Sequence, residues 1–341
     1  MIDPRAIVEP GARIAEEASI GPFSVIGPDV SIGRGTRIGP HVVITGHTDI
    51  GEDCRVYQFA SLGEAPQDTG YRDEPTRLVI GDRNVIREYV TISRGTPRGG
   101  GVTRVGHDNL IMAYVHIAHD CEVGNHTTLA NAASLAGHVQ VQDRAILGGF
   151  TLVHQFCRIG THAFTSMGAA LNRDLPPYTL ASGNYARAIG INKLGLSRRG
   201  FPPDTVHALH QAFRLLVRGR DRKAGMAAVE GLAAQVPEVA RFVEFVRESK
   251  RGIVRTGKNA WTYSIARGMS MMMATIGARP AAASQRRRAS TMIEAATRNP
   301  SGTPSSRFAV QSARRLGSIS HRLNHRMAHS WSHASAGVID R

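Results

Sequence analysis

The sequence predicts an all-β solenoid, a parallel β-helix of six-residue repeats, with a small α-helical domain after it. The first observation is an aliphatic residue at every sixth position, a spacing that neither an α-helix nor an ordinary strand produces. This run comprises Ile2, Val8, Ile14, Ile20, Ile26, Ile32, Ile38, Ile44, Ile50, Val56 and Leu62. The second is a glycine that often follows the aliphatic residue, which we expect to ease the corners. The third is a small or β-branched residue four positions after it, so that three hexads form one triangular coil with a filled interior.

Two interruptions of the repeat predict loops. Residues 63–79 place Asp68 where an aliphatic residue is expected, and residues 94–104 are too rich in glycine for a core coil. The repeat returns at Ile80 and, shifted by one residue, runs on through residues 105–159. Long excursions from a rigid scaffold often carry function, so we expect these loops to lie near a site.

The pattern divides the chain into three parts. Residues 1–189 form the β-helix, and residues 190–255 form a helical domain with apolar residues at helical spacing, such as Val206 and Leu209. Residues 256–341 are rich in Ala, Ser and Arg, and we expect this basic extension to be disordered.

The charge of the chain is unevenly placed. The whole chain has a formal net charge of +15, but residues 256–341 hold 13 Lys and Arg against 2 Asp and Glu, a net of +11, which leaves +4 for residues 1–255. We therefore expect no nucleic-acid partner for the folded part. A scaffold that uses residues 256–341 to bind nucleic acid or an anionic membrane is the alternative, and deleting this extension distinguishes the two.

The cysteines and the N-terminus indicate the compartment. Cys54, Cys121 and Cys157 occupy the small-residue position of the repeat, which predicts buried packing residues. Their odd number and the absence of CxxC spacing argue against a disulfide framework and a zinc site, so no metal is expected. The repeat begins at Ile2 without a signal region, and no apolar run is long enough to span a membrane. We expect a cytoplasmic protein without membrane insertion.

Histidines are concentrated on the later coils, and the length of a coil brings several of them together. One coil is 18 residues, so His119, Gly137 and Gln155 lie one above another, and Asp120 and His138 form the adjacent column. A histidine, a neighbouring carboxylate and a glycine N–H supply the general base, the orienting group and the oxyanion donor of acyl transfer. Polar residues that stack on a regular lattice without a catalytic role are the alternative.

Seven segments resemble the UDP-N-acetylglucosamine 3-O-acyltransferase family, which carries out the first step of lipid A biosynthesis. They are YQFASLGE (57–64), DEPTRLVIGD (73–82), IAHDC (117–121), LAGHV (135–139), VHQFC (153–157), GN (183–184) and RRGF (198–201). The resemblance is in order and covers residues 1–255. It implies a left-handed β-helix that forms a homotrimer with active sites between subunits. It also implies transfer of an (R)-3-hydroxyacyl chain, carried on the phosphopantetheine of acyl carrier protein, to the sugar 3-hydroxyl, with no other cofactor.

The resemblance assigns roles residue by residue. His119 matches the general base, Asp120 the residue that holds and polarises it, and Gly137 the oxyanion-hole amide. The positions that match substrate-binding residues are Asp68, His116, His138, His154, Gln155, Asn192, Arg198 and Arg199. Of these, the last three match the nucleotide and phosphate contacts, for which paired arginines suit a diphosphate.

Met167 matches the hydrocarbon ruler of the family. It stands in the column of Asn131 and Gly149, at a different corner from His119. In the family a glycine there admits a longer chain, and each methylene that cannot be buried forfeits about 0.8 kcal/mol. We therefore predict a preference for a 3-hydroxydecanoyl rather than a 3-hydroxytetradecanoyl donor. Simple packing between coils is the alternative for this methionine.

Three departures from the family pattern concern the sugar nucleotide. Ser93 replaces a frequent histidine, Gly70 a frequent lysine, and Leu194 stands where the nucleotide site has an acidic residue. A relative that acylates a 3-amino sugar therefore stays open, as does a γ-carbonic-anhydrase-like trimer with zinc on interfacial histidines. The later N-acyltransferase of the pathway is disfavoured because its separate uridine-binding domain would precede the repeat. Basic residues that would steer the acidic carrier protein are Arg144, Arg158, Arg173 and Lys193.

Overall fold

The computed structural model describes residues 1–219 and 221–257, without the side chain of Arg222. The predicted extension lies outside the described residues from position 258 onward. The first part of the chain is a left-handed parallel β-helix with three walls, as predicted.

Each wall is one parallel sheet of short strands. The first wall consists of Ile7–Val8, Val25–Ile26, Val43–Ile44, Ser61–Glu64, Thr91–Ser93, His116–Ile117, Ser134–Leu135, Leu152–Val153 and Ala170–Leu171. The second wall consists of Arg13–Ile14, Val30–Ile32, His47–Ile50, Arg77–Ile80, Val102–Val105, Glu122–Val123, Gln140–Val141 and Arg158–Ile159. The third wall consists of Ser19–Ile20, Arg37–Ile38, Arg55–Val56, Val85–Ile86, Leu110–Ile111, Thr128–Leu129, Ile146–Leu147, Phe164–Thr165, Thr179–Ser182 and Arg187–Ile191, the last antiparallel to its neighbour.

The aliphatic residues of the repeat form the core. In most strands the second residue points inward, so that Ile26, Leu62 and Ile117 are fully buried. The first residue points outward, and successive coils pair in register, as Ile117 does with Leu135. The three cysteines are buried and free, which confirms their packing role.

The corners differ from the sequence prediction. We expected glycine to ease them, but the left-handed backbone conformation is mostly held by residues with side chains, among them Asp120 (φ 59°) and His138 (φ 62°). The glycine after the aliphatic residue has another reason: a Cβ on Gly21 would lie 2.7 Å from the backbone of Gly39 on the next coil. Polar and aromatic side chains therefore project from the corners.

The two loops fall near their predicted positions. The first joins Ser61–Glu64 to Arg77–Ile80. The second contains a 3₁₀ helix, Pro97–Gly99, but its end was predicted wrongly, because Val102–Val105 pairs with Arg77–Ile80 as a strand of the second wall. The buried Thr103 anchors this strand in place of an aliphatic residue.

The helical part follows the β-helix. It comprises α1 (Lys193–Arg198), α2 (Pro203–Phe213), a π-helical turn (Arg214–Arg218), α3 (Arg222–Gln235) and α4 (Pro237–Glu248). The predicted boundary after residue 189 falls inside the last strand, and the division into domains stays a prediction. Among the described residues, every helix is too short or too polar to cross a bilayer.

Candidate active site

His119 and Asp120 form a hydrogen-bonded pair at the corner between the first and second walls. His119 Nδ1 lies 2.8 Å from Asp120 Oδ2. The side chain of His119 is 16% exposed, whereas that of Asp120 is fully buried. The carboxylate accepts the Nδ1 proton, which leaves Nε2 of the imidazole as the basic nitrogen.

The two oxygens of Asp120 have further donors in the second loop. Thr96 N–H donates to Oδ1 over 2.8 Å, and the Thr96 hydroxyl donates to Oδ2 over 2.6 Å. In the part of the chain that the structure describes, no Lys or Arg nitrogen lies within 4.0 Å of this carboxylate. Its negative charge therefore acts on His119 and is placed to stabilise a protonated imidazole there.

Gly137 lies directly against the ring of His119. A Cβ on Gly137 would be 2.6 Å from His119 Cε1 and 2.8 Å from Nε2, so any side chain here would displace the imidazole. Among the described residues, no backbone carbonyl accepts a hydrogen bond from the Gly137 N–H. A free N–H beside a base is suited to stabilise an oxyanion.

His138 and Asp68 complete the surroundings of the pair. The His138 ring stacks on Phe156 with centroids 4.4 Å apart and meets the edge of His119 at 5.2 Å. Burial lowers the pKa of His138, against the opposite influence of Asp120 and Asp68. Asp68 accepts the Gly70 N–H in the first loop. A neutral His138 can donate or accept a hydrogen bond to a substrate hydroxyl.

His116, His154 and Gln155 lie on the same side of the β-helix. His116 Nδ1 is 2.8 Å from Thr91 Oγ1, and burial, with the charge of His119 second, lowers the pKa of His116. His154 Nδ1 accepts from Arg251 over 3.3 Å, and both His154 and Gln155 are exposed. Successive coils pair in register here, as Ser134–Leu135 does with Leu152–Val153, so the column that coil arithmetic predicted is present.

Arg198, Arg199 and Asn192 lie elsewhere, beside the corner between the second and third walls. Arg199 donates to His162 Nδ1 over 2.8 Å. Burial, followed by the positive charges of nearby arginines, lowers the pKa of His162 to about 4, so this imidazole is neutral. Asn192 Oδ1 caps α1, and its Nδ2 donates to the His162 carbonyl. One subunit therefore does not bring these residues to His119.

His162 is the part of this second corner that the sequence prediction missed. It stands 18 residues after Arg144, so coil arithmetic would have placed the two in one column. Arg144 supplies a carbonyl to Arg199. Arg158 is not free to steer a carrier protein, because it pairs with Glu248 over 3.2 Å and lies over the ring of Phe245.

Met167 stands at the third corner, between the third and first walls. Its side chain is 77% exposed and its Cγ lies over Gly149. This is a different corner from that of His119, as the spacing predicted.

The geometry of the His119 corner is poorly suited to binding a metal ion. Nitrogen and oxygen atoms of His119, Asp120 and His138 lie within 4.8 Å of one another. Both Asp120 oxygens, however, already accept hydrogen bonds from Thr96 and His119, so a cation would have to displace them. The arrangement serves a hydrogen-bonded base better than a zinc ligand set.

The β-helix of hexapeptide repeats, the His–Asp pair and the free glycine N–H define a hexapeptide-repeat acyltransferase. Comparisons with known proteins agree. Residues 174–254 match the family profile described as UDP N-acetylglucosamine O-acyltransferase, domain 2. Residues 11–46 and 103–137 match the bacterial transferase hexapeptide profile.

Similar proteins narrow this class of acyltransferase to one family. The acyl-[acyl-carrier-protein]–UDP-N-acetylglucosamine O-acyltransferase of Alkalilimnicola ehrlichii is 56% identical over 255 residues, covering 74% of this chain and 99% of the relative. The enzyme of the same name from Pseudomonas aeruginosa is 55% identical over 256 residues, covering 75% and 99%. The solved UDP-N-acetylglucosamine acyltransferase of Francisella novicida is 41% identical with a TM-score of 0.74, covering 76% of this chain and 95% of that one. This chain belongs to the UDP-N-acetylglucosamine O-acyltransferase family and is an acyltransferase.

Proposed function

We propose that this enzyme transfers an (R)-3-hydroxyacyl group from acyl carrier protein to the 3-hydroxyl of UDP-N-acetylglucosamine, the first step of lipid A biosynthesis. The observation that carries the proposal is the His119–Asp120 pair lying against Gly137, in a chain whose relatives bear this activity in their names. The acyl group arrives on the phosphopantetheine of the carrier, and the residues supply all other chemistry.

The mechanism follows from the pair. His119 Nε2 takes the proton of the sugar hydroxyl while the oxygen attacks the thioester carbonyl. The Gly137 N–H stabilises the tetrahedral oxyanion, and Asp120 stabilises the imidazolium. The C–S bond then breaks, the imidazolium returns its proton to the departing thiolate, and the ester and the free carrier thiol leave with His119 ready for the next cycle.

The outward faces of the walls support a homotrimer. The second wall is charged, with Arg13, Asp49, Arg104 and Glu122 outward. In the first wall as the structure describes it, Glu64 at the end of its strand is the one exposed charged residue. The third-wall strands between residues 85 and 165 present apolar or uncharged residues: Val85, Leu110, Thr128, Ile146 and Phe164. Two such walls meeting at one corner indicate a face that is covered in the assembly.

That corner carries a column of stacked rings. They are Phe23, His41, Phe59, Tyr89 and Tyr114, with neighbouring centroids 4.8 to 5.3 Å apart. All four Phe and Tyr residues of the column are exposed in one chain. Burying aromatic surface is a main source of association free energy, so we place this corner on the threefold axis.

This arrangement completes the active site. With the third-to-first corner on the axis, the first wall of one subunit faces the third wall of the next. His119, at the far edge of the first wall, then lies opposite the neighbouring subunit's Arg199, and Met167 lies at the axial end of the same cleft. The separation of these residues within one chain is thus resolved by assembly.

The remaining site residues take substrate roles in this cleft. Arg198 and Arg199 bind the diphosphate; within the described residues neither has an acidic partner within 4.0 Å. Asn192 keeps one Nδ2 proton for the nucleotide beyond its capping bonds. Asp68, His116, His138, His154 and Gln155 surround the sugar and the start of the acyl chain.

The partners follow from the substrates. Arg144, Arg173 and Lys193 remain available to attract the acidic carrier protein. We place the reaction in the cytoplasm, which fits three unpaired cysteines. No nucleic acid, membrane insertion or metal enters this proposal.

The nature of the acceptor atom is directly testable. We expect transfer of a 3-hydroxydecanoyl group to UDP-N-acetylglucosamine to give an alkali-labile ester, measured by mass spectrometry before and after mild base. The 3-amino analogue of the sugar, assayed in parallel, should be the poorer acceptor. Amide formation on the analogue without ester formation on UDP-N-acetylglucosamine would overturn the proposed acceptor.

A further inference from the structure

The second loop closes over the carboxylate of Asp120. Thr96 is 3% exposed and contacts both Asp120 oxygens, one through its N–H and one through its hydroxyl. The main chain of Asp120 is held from the other side, since its N–H donates to Thr103 Oγ1 over 2.8 Å. Two hydrogen bonds from the second loop and one from the second wall therefore fix this one residue.

The glycines of the second loop are required by close backbone packing or by positive φ values. A Cβ on Gly99 would lie 2.0 Å from Asp120 Cγ, so the loop backbone packs directly on the carboxylate. Gly95 passes as closely to Val102, and Gly100 and Gly101 adopt positive φ values of 96° and 79°. Only glycine permits this tight closure, which accounts for the glycine-rich sequence of the interruption.

We propose that Thr96 is a positioning residue, whose hydroxyl holds Asp120 in the orientation that presents Oδ2 to His119. The inference rests on the proposed role of His119 as the base. Thr96 supplies two donors without a positive charge, so it orients the carboxylate without pairing it with a cation. Thr96 acts on His119 only through Asp120, and its hydroxyl also accepts the Gly99 N–H over 3.2 Å.

The hydroxyl of Thr96 and Nδ1 of His119 share the same oxygen, Oδ2. A donor on that oxygen disperses part of the charge that His119 experiences. Without the Thr96 hydroxyl, the His119–Asp120 pair should hold its proton to a higher pH. The acidic limb of the pH–rate profile should therefore shift to higher pH. The other titratable groups that face His119 are His116 and His138.

The test compares Thr96→Val with Thr96→Ser. The valine variant keeps the backbone bond and loses the hydroxyl, and we expect kcat to fall by about 10- to 100-fold with KM values little changed. The serine variant should retain most of the activity. Thr36→Val is the matched control, because it removes a buried threonine hydroxyl bond to Gly51 far from the site. Gly99→Ala, which presses on the same carboxylate, should reproduce the kinetic effect.

A second readout needs no substrate. The ring of His119, followed by NMR in histidine-labelled protein and assigned with His119→Gln, should titrate at higher pH in Thr96→Val than in the wild type. An unchanged titration with unchanged kcat would overturn the inference, as would a serine variant as impaired as the valine one. A changed titration in a protein that does not acylate UDP-N-acetylglucosamine would keep the positioning role and reject the proposed function instead.

Discussion

Replacing His119 by alanine is expected to lower kcat on the order of 1,000-fold while leaving the protein folded. In the proposed mechanism the imidazole takes the hydroxyl proton, and the neighbouring Asp120 is held by Thr96 in a position where it cannot replace it. The measurement is product formation under saturating substrates, with thermal unfolding as the check on folding.

His47→Ala is the control for this substitution. His47 lies on the charged second wall, 3.8 Å from Asp29, and should be dispensable. A His119 variant that retains more than a tenth of wild-type kcat would remove this residue from the role of base and return the histidine column to a structural explanation.

Replacing Met167 by glycine should change the preferred acyl donor from 3-hydroxydecanoyl to 3-hydroxytetradecanoyl carrier protein. Four methylenes separate decanoyl from tetradecanoyl, which amounts to about 3 kcal/mol of burial, or roughly a 200-fold change in relative kcat/KM. Met167 lies over Gly149 at the axial end of the proposed cleft, so its removal lengthens the groove. The measurement is kcat/KM for 3-hydroxyacyl carrier proteins of six to sixteen carbons.

Met167→Leu is the matched control, because it keeps the volume and should keep the preference for ten carbons. A wild-type profile that already peaks at fourteen carbons would contradict the proposed role of Met167 in limiting chain length. So would a glycine variant whose profile is unchanged, which would leave Met167 as packing between coils.

The repeat made the fold predictable. An unbroken six-residue period is typical of a three-walled coil, and Ile26 and Ile117 lie in its interior as that arrangement requires. The same arithmetic predicted the stacking of Gly137 on His119, because the lattice converts a separation of 18 residues into contact.

The features that the sequence did not predict depend on contacts or conformations that the hexapeptide repeat does not specify. Thr96 reaches Asp120 across 24 residues through a loop with its own geometry, and no repeat predicts such closure. The corner conformations were also missed, since a left-handed Asp or His gives no signal in the hexad pattern. Handedness came only from the family resemblance, because spacing is the same for either hand.

Mixing two inactive variants tests the central claim, that each active site combines His119 of one subunit with Arg199 of the next. Trimers of His119→Ala and of Arg199→Ala are dissociated together, reassembled in equal amounts and assayed at low UDP-N-acetylglucosamine. Random assembly leaves each interface intact with one chance in four, so we predict recovery of about one quarter of wild-type activity. His119→Ala mixed with Asp120→Ala is the control and should recover nothing. Activity no higher than the average of the two separate variants would contradict a site shared between subunits.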